Sequence, residues 1–158
     1  MSIRALTPDD YGWVLALNAK SEVETSPLDE AKLARMVGAA FSASVYGDAA
    51  FLIAFDQSPA YEGRHFGWFR AWYPKFAYVD RIVVSENARG HGVARALYEH
   101  LFMQARAAAH DRIACEVNIA PPNPGSDLFH AKMGFEEVGQ SVPHDGKVVR
   151  YMMRRLTG

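Results

Sequence analysis

The chain has 158 residues, which is enough for one compact domain with a substantial core and too few for a large multidomain enzyme. Its 17 basic and 18 acidic side chains leave a formal net charge of −1, so it lacks the global basic field that nucleic-acid binding uses. No apolar stretch approaches the ~18 residues of a membrane helix, and the N-terminal residues lack the apolar core of a secretion signal. We therefore expect no nucleic-acid partner, no membrane partner and a cytoplasmic location.

The single cysteine, Cys115, bears on location and on metal binding. It cannot form an intrachain disulfide, which is typical of proteins from a reducing compartment. No histidines or further cysteines surround it at metal-ligand spacing, so no metal is expected. Because Cys115 alternates with Val117 on a predicted buried strand, an inert core thiol is favoured over a nucleophile.

The first half of the chain predicts a strand, two helices and a hairpin. Each helix start combines a capping hydroxyl with an early proline, in Thr7-Pro8 and in Ser26-Pro27. The turn residues Gly47-Asp48 divide two β-rich runs and predict an antiparallel pair. The predicted elements are a strand over 2–6, helices from Thr7 to about Lys20 and from Ser26 with an apolar stripe as far as Phe41, and strands over 44–48 and 50–55.

Residues 57–75 have no regular pattern, and we predict a loop that is rich in aromatic side chains. Such a loop either contributes to function or covers the core. The remaining predicted elements are a strand over 76–84, a helix over 92–109, a strand over 112–119, a short helix over 126–132 and a closing hairpin of strands over 135–142 and 147–156. The order predicts an α/β (α+β) fold, a single domain over residues 1–158 with a mixed sheet of about 6–7 strands and about four helices on its faces.

The segment after the strand over 76–84 carries the clearest chemical pattern. A glycine-containing turn opens directly into a helix, which presents unpaired backbone N–H groups and the positive end of the helix dipole to one place. Gly90 and Gly92 let an anion approach the backbone, and Arg89 and Arg95 can bind phosphate oxygens. The run matches neither a nucleoside-triphosphate loop nor a dinucleotide-binding loop. It predicts a diphosphate site, and the alternative is an unoccupied tight turn with ordinary glycines.

The run Arg89-Gly90-His91-Gly92-Val93-Ala94 resembles the R/Q-x-x-G-x-G/A signature of the GNAT superfamily of acyl-CoA-dependent N-acetyltransferases. The resemblance extends to Asn123 ahead of a short helix that ends in Gly134-Phe135, and so covers essentially the whole chain. It implies a splayed mixed sheet with acetyl-CoA, the co-substrate, between the strands over 76–84 and 112–119. The residues that the resemblance assigns to acetyl-CoA are Ile82, Val83 and Val84 beside the pantetheine arm, Arg89, Gly90, His91, Gly92, Val93, Ala94 and Arg95 around the diphosphate, and Asn123 further along the arm.

N-acetylation by direct attack in a ternary complex needs a base, because an alkylamine with a pKa of ~10.4 is protonated at neutral pH. Asp80 is our candidate, since simple alternation places it with Ile82 and Val84 and many GNAT enzymes have an acidic or histidine base on this strand. The alternative is a carboxylate that is solvated or ion-paired with Arg81.

The departing thiolate needs a proton donor. GNAT members often have a tyrosine four residues before the glycine of the Gly-Phe pair, and this chain has His130 there. A histidine with a pKa near ~6.5 can protonate a thiolate, so His130 is the predicted acid. The alternative is a histidine that only packs or faces solvent. Tyr98 is a weaker candidate because it is expected to lie against the core.

Four residues are candidates for binding the acceptor amine. Tyr61, Trp68 and Trp72 can stack on a ring or hold an alkylammonium group, although core packing or a homodimer contact explains them equally well. Glu24 can pair with a cationic amine, although exposed acids are commonly solvated. A small-molecule amine or amino acid is the favoured acceptor. Protein N-termini or lysines, a non-catalytic acyl-CoA-binding module and an assembly module remain alternatives.

Overall fold

The computed structural model describes residues 2–21, 25–59, 61, 63–120 and 122–156. Within them, seven strands form one sheet in the order β1-β2-β3-β4-β5-β7-β6, accompanied by five α-helices. The strands are β1 (Ile3–Ala5), β2 (Ser42–Tyr46), β3 (Ala50–Asp56), β4 (Ala77–Val84), β5 (Arg112–Ala120), β6 (Glu136–Gln140) and β7 (Val148–Arg155). The helices are α1 (Tyr11–Ala19), α2 (Glu30–Ala39), α3 (Arg64–Trp72), α4 (Val93–Ala107) and α5 (Pro124–Lys132). None of the described helices is long and apolar enough to cross a membrane.

The mixed sheet that the element order predicted is confirmed. β4 and β5 are parallel, and the other pairings within the described residues are antiparallel. The hairpin of β2 and β3 turns through Gly47, which has a left-handed φ of 55°. In the closing hairpin the second strand, β7, pairs with β5, and the first strand, β6, pairs with β7. β7 therefore lies between β5 and β6. The sheet therefore has β4 and β5 at its centre.

The second helix begins later than predicted. α2 starts at Glu30, and the side chain of Asp29 caps it by accepting from the Lys32 amide at 2.7 Å. Ser26, the predicted cap, is used elsewhere, since its carbonyl and hydroxyl oxygens accept hydrogen bonds from the buried Arg81 guanidinium. A long-range contact thus overrides a local helix-start signal.

The aromatic segment predicted as a loop contains a helix, so that prediction is wrong. In α3, Phe66 and Phe69 are three residues apart and fully buried against the sheet. Trp68 stacks on Tyr151 of β7 with ring centroids 4.2 Å apart. Because aromatic residues occur on more than one face of α3, the helical period is masked in the sequence.

Two hydrophobic clusters cover the faces of the sheet. α4 packs on one face through side chains that include Leu97 and Leu101. The other face is covered by a cluster that joins α1, α2 and α3 and includes Phe51 of β3. The described chain thus has helices on both faces and leaves the ends of β4 and β5 open between them.

Candidate active site

The central parallel strands separate soon after they meet. β4 and β5 pair at Ala77 with Ile113 and at Tyr78 with Ala114, and no later pair follows in the described chain. On its other side β4 stays paired with β3 as far as Val84. One edge of β4 is therefore without a strand partner beyond Tyr78. A cavity of about 920 Å³ lies at this opening.

A bulge in β4 determines which side chains face the two sides of the sheet. Arg81 is opposite Ile53 and Val79 is opposite Ala54, which leaves Asp80 as an extra residue. Ile82 and Val84 pack with α4, whereas the Asp80 carboxylate bonds to Tyr61, whose ring packs on Phe55 in the opposite cluster. The prediction that Asp80 follows the alternation of Ile82 and Val84 is therefore wrong, because the extra residue reverses the alternation.

The turn before α4 has the geometry of an anion site. Gly90 and Gly92 have left-handed φ values of 81° and 77°, and a Cβ at either position would meet no atom within 4 Å. The amides of residues 90–95 make no hydrogen bond of normal geometry within the described part of the chain. Arg89 lines the cavity beside them. Free donors, a helix N-terminus and a cation thus share one opening.

The predicted acetyl-CoA residues divide into two groups by position. Those that line the cavity are Ile82, Val83, Val84, Arg89, Gly90, Ala94 and Asn123. Those outside the lining are His91, Gly92, Val93 and Arg95. Arg95 lies 3.7 Å from Glu99, and Asn123 caps α5 through its Oδ1, which accepts from the Ser126 amide.

Asp80 forms an ion pair with Arg81, which is one of the alternatives given for it in the sequence analysis. Its Oδ1 accepts from the Tyr61 hydroxyl at 2.6 Å, and its Oδ2 accepts from Arg81 Nε at 2.7 Å. Arg81 is itself buried and donates to Asn18 and Ser26. Both carboxylate oxygens thus accept from strong donors, an arrangement that fixes the orientation of Asp80.

Glu116 of β5 is a site residue that the sequence reasoning missed. It lines the cavity, and its Oε2 accepts from the Tyr78 hydroxyl at 2.7 Å. Burial raises the pKa of Glu116 to about 8, the Tyr78 bond opposes the rise, and the negative charge of Asp80 adds to it. The available signal was an acid between Cys115 and Val117 on a strand that otherwise reads as buried.

His130 is buried and forms a pair with Tyr98. Its Nδ1 lies 2.8 Å from the Ser126 carbonyl oxygen, which can only accept, so Nδ1 carries the proton. The neutral ring then accepts at Nε2 from the Tyr98 hydroxyl, 2.7 Å away. Burial lowers the pKa of His130, although the Ser126 carbonyl opposes this. At neutral pH the transferable proton of this pair is therefore on Tyr98, which lines the cavity.

The predicted acceptor residues do not come together. Tyr61 lines the cavity, whereas Trp68 stacks on Tyr151 outside the lining and Trp72 is 68% exposed. Trp68 packs against the core, which is one of the alternatives given for the aromatic residues in the sequence analysis. Glu24 lies outside the described residues.

The described residues contain no group of three His, Cys, Asp or Glu side chains that could hold a metal ion. Among the titratable groups at the cavity are three hydrogen-bonded pairs, Asp80 with Arg81, Glu116 with Tyr78 and His130 with Tyr98. Such pairs suit proton transfer between a nucleophile and a leaving group.

Comparison with known proteins identifies a family and a fold. The sequence model of the acetyltransferase (GNAT) family matches residues 28–135. No curated protein sequence matches the chain significantly.

Solved structures resemble the chain over nearly its full length. Ard1 from Thermoplasma volcanium has a TM-score of 0.80 and 18% identity, covering 99% of this chain and 98% of Ard1. The ribosomal-protein-S18-alanine N-acetyltransferase from Escherichia coli has a TM-score of 0.72 and 18% identity, with coverages of 99% and 94%. yncA from Salmonella typhimurium, solved with its cofactor acetyl-CoA, has a TM-score of 0.72 and 15% identity, with coverages of 100% and 95%. These similarities show a shared fold.

Proposed function

Since the chain belongs to the GNAT family of acetyltransferases, we propose that it moves an acetyl group from acetyl-CoA to the primary amine of a small molecule, by direct attack within a ternary complex. The observation that carries the proposal is the opening between β4 and β5, bordered by the free amides before α4. An extended pantetheine arm fits the unpaired edge of β4, because that edge offers backbone groups as a partner strand would. Arg89, Gly90 and Ala94 line the cavity, and Arg89 together with the free amides of this turn fits the diphosphate.

Glu116 is the proposed base. Its pKa of about 8 lies nearer to that of an alkylamine than the pKa of an ordinary carboxyl does, which favours proton transfer from the attacking amine. Asp80, the base that alternation suggested, then acts as a positioning residue, since both of its oxygens are engaged and its charge acts on Glu116.

Tyr98 is the proposed acid. Its hydroxyl gives a proton to the departing thiolate as the carbon–sulfur bond breaks, while Glu116 takes a proton from the nitrogen as the amide bond forms. The two transfers balance, and solvent restores both groups after the products leave. His130, the acid that the sequence suggested, positions the Tyr98 hydroxyl through its bond at 2.7 Å. An amide of β4 facing the opening is the proposed donor to the oxyanion.

Acetyl-CoA is expected to raise the melting temperature of the protein, and addition of a primary amine is expected to release free CoA thiol. A ligand that binds the native state stabilises it by mass action, so the melting temperature must rise with acetyl-CoA concentration. In Gly92→Val this rise should be largely lost, because φ at this position is 77° and a β-branched side chain would strain the turn. Differential scanning fluorimetry and a thiol-release assay measure the two effects.

Gly38→Ala is the matched control, because Gly38 lies in α2 and a Cβ there meets no atom within 4 Å. It should keep the full response to acetyl-CoA. No response of the unmodified protein to millimolar acetyl-CoA would refute the proposal. A response without thiol release for any amine would favour the non-catalytic binding module.

The pH profile of turnover should move in opposite directions in two conservative variants. Asp80→Asn removes a negative charge that raises the pKa of Glu116, so the rise of kcat with pH should shift to lower pH. Tyr78→Phe removes a hydrogen bond to the ionised carboxylate, so the rise should shift to higher pH. Initial rates from pH 6 to pH 10 test this, and shifts in the same direction would remove Glu116 from the base role.

A further inference from the structure

The cavity is lined by groups of opposite charge at its buried and its exposed parts. In the buried part Asp80 is paired with Arg81, and the half-buried Glu116 supplies a carboxyl group that makes no salt bridge within the described residues. Arg64 and Lys147 line the exposed part, and neither makes a salt bridge within the described residues. Asp145 is also there, and its carboxylate lies 3.3 Å from His144 Nε2. The exposed part therefore has two cations without a carboxylate partner.

A row of neighbouring residues leads from Glu116 through Tyr151 and His65 to Arg64. Tyr151 is the cross-strand neighbour of Glu116 in the register of β5 and β7. The Tyr151 hydroxyl lies 3.1 Å from Nδ1 of His65, which follows Arg64 at the start of α3. Burial, with a further contribution from the Arg64 charge, lowers the pKa of His65, so its ring is neutral at pH 7. The positive charge on this row is therefore carried by Arg64.

Hydrogen bonds connect the segments that carry Arg64 and Lys147. Arg64 Nη2 donates to the Val142 carbonyl oxygen at 3.2 Å, which connects α3 to the connection between β6 and β7. In that connection His144 and Lys147 exchange backbone hydrogen bonds at 3.0 and 2.9 Å, which brings Lys147 back toward the cavity. Arg64 and Lys147 thus lie on neighbouring, connected segments at one side of the opening.

We propose that Arg64 and Lys147 bind a carboxylate of the acceptor, so that the acceptor is a primary amine carrying a carboxylate in the same small molecule. This rests on the proposed function, in which the amine is deprotonated at Glu116. An amino acid places its two charged groups in the order that the cavity requires, with the amine at Glu116 and the carboxylate at the exposed cations. At a protein N-terminus the α-amine is followed by a neutral peptide amide in place of a carboxylate. Such an acceptor therefore has no negative group at that position for Arg64 and Lys147 to bind.

The test compares ω-amino acids from glycine to 6-aminohexanoate with their primary amides, using kcat/KM corrected for the unprotonated fraction of each amine. At least one amino acid should exceed its amide by about 10- to 100-fold, which is the range for a charge-assisted pair. In Arg64→Gln this preference should fall to below about threefold, and Lys147→Gln should reduce it. Arg70→Gln on the same helix, outside the lining, should retain it.

Two results would overturn the inference while leaving acetyl transfer intact. One is acetylation of the amides as efficiently as the amino acids. The other is a preference that survives Arg64→Gln and disappears in Lys32→Gln, since Lys32 of α2 also lines the cavity. Thermal shifts of the protein with and without CoA supply a readout that needs no turnover. Stabilisation by an amino acid and not by its amide, lost in Arg64→Gln, supports the carboxylate site even if transfer itself fails, and equal shifts refute it.

Discussion

Replacing Glu116 by glutamine is expected to lower kcat by about 100- to 10,000-fold, the usual contribution of a general base. Glutamine keeps the size of the side chain and an oxygen that can accept from Tyr78, so the fold and acetyl-CoA binding should persist. What is lost is the ability to take a proton from the attacking amine. Turnover of acetyl-CoA under saturating amine, followed by thiol release, measures the loss.

The pH profile separates loss of the base from general damage. In the unmodified protein kcat should rise as pH passes about 8, because the carboxyl of Glu116 ionises there. In Glu116→Gln this rise should be absent, and any remaining rate should follow only the ionisation of the amine itself. Glu136→Gln, an exposed acid on β6, serves as the control and should behave like the unmodified protein. A retained rise in Glu116→Gln would assign the base elsewhere.

Replacing Tyr98 by phenylalanine is expected to lower kcat by about 100-fold with little change in the KM for acetyl-CoA. The substitution removes one oxygen from a fully buried ring and leaves its contacts with Phe102, Phe129 and Phe135 in place. The leaving thiolate would then have to depart without a proton from the protein. Steady-state kinetics in both substrates measure the separate effects on kcat and KM.

His130→Gln distinguishes a positioning role from a direct one. A glutamine oxygen can accept from the Tyr98 hydroxyl as Nε2 does, so this variant should retain most of the activity that His130→Ala loses. If His130 were the acid, glutamine and alanine would be equally inactive while Tyr98→Phe kept its rate. Tyr46→Phe, a tyrosine partly buried against the same cluster, is the control for loss of a hydroxyl and should be neutral.

The sequence predicted those parts of the fold that are determined by residues close together along the chain. Apolar, β-rich runs located the strands, and Gly47 located the turn between β2 and β3. Thr7-Pro8 predicted a helix start, and the structure has a 3-10 helix over Pro8–Asp10 directly before α1. The glycine turn before α4 and its resemblance to GNAT proteins led to the opening between β4 and β5. α3 was missed because Trp68 and the exposed Trp72 add aromatic side chains on further faces of the helix, which masks the helical spacing of the buried Phe66 and Phe69.

The proposed proton-transfer groups were harder to assign from the sequence, because the surroundings of each depend on a partner far along the chain. A one-residue bulge turned Asp80 toward Tyr61, 19 positions away, and alternation alone cannot detect an inserted residue. His130 was recognised by its position, but its proton state follows from Ser126 and from Tyr98, 32 positions earlier. Glu116 was overlooked because an isolated acid on a strand has no local signature.

The strands, the helices other than α3, and the glycine turn with its resemblance to the GNAT signature were predicted from the sequence, because each depends on residues a few positions apart. Tertiary structure alone decided which carboxyl group keeps a raised pKa, which hydroxyl holds the transferable proton, and which cations face the cavity. The physical reason is that burial and electrostatic interaction depend on distance in space, and the bulge in β4 and the separation of β4 from β5 bring together charges that the chain keeps apart.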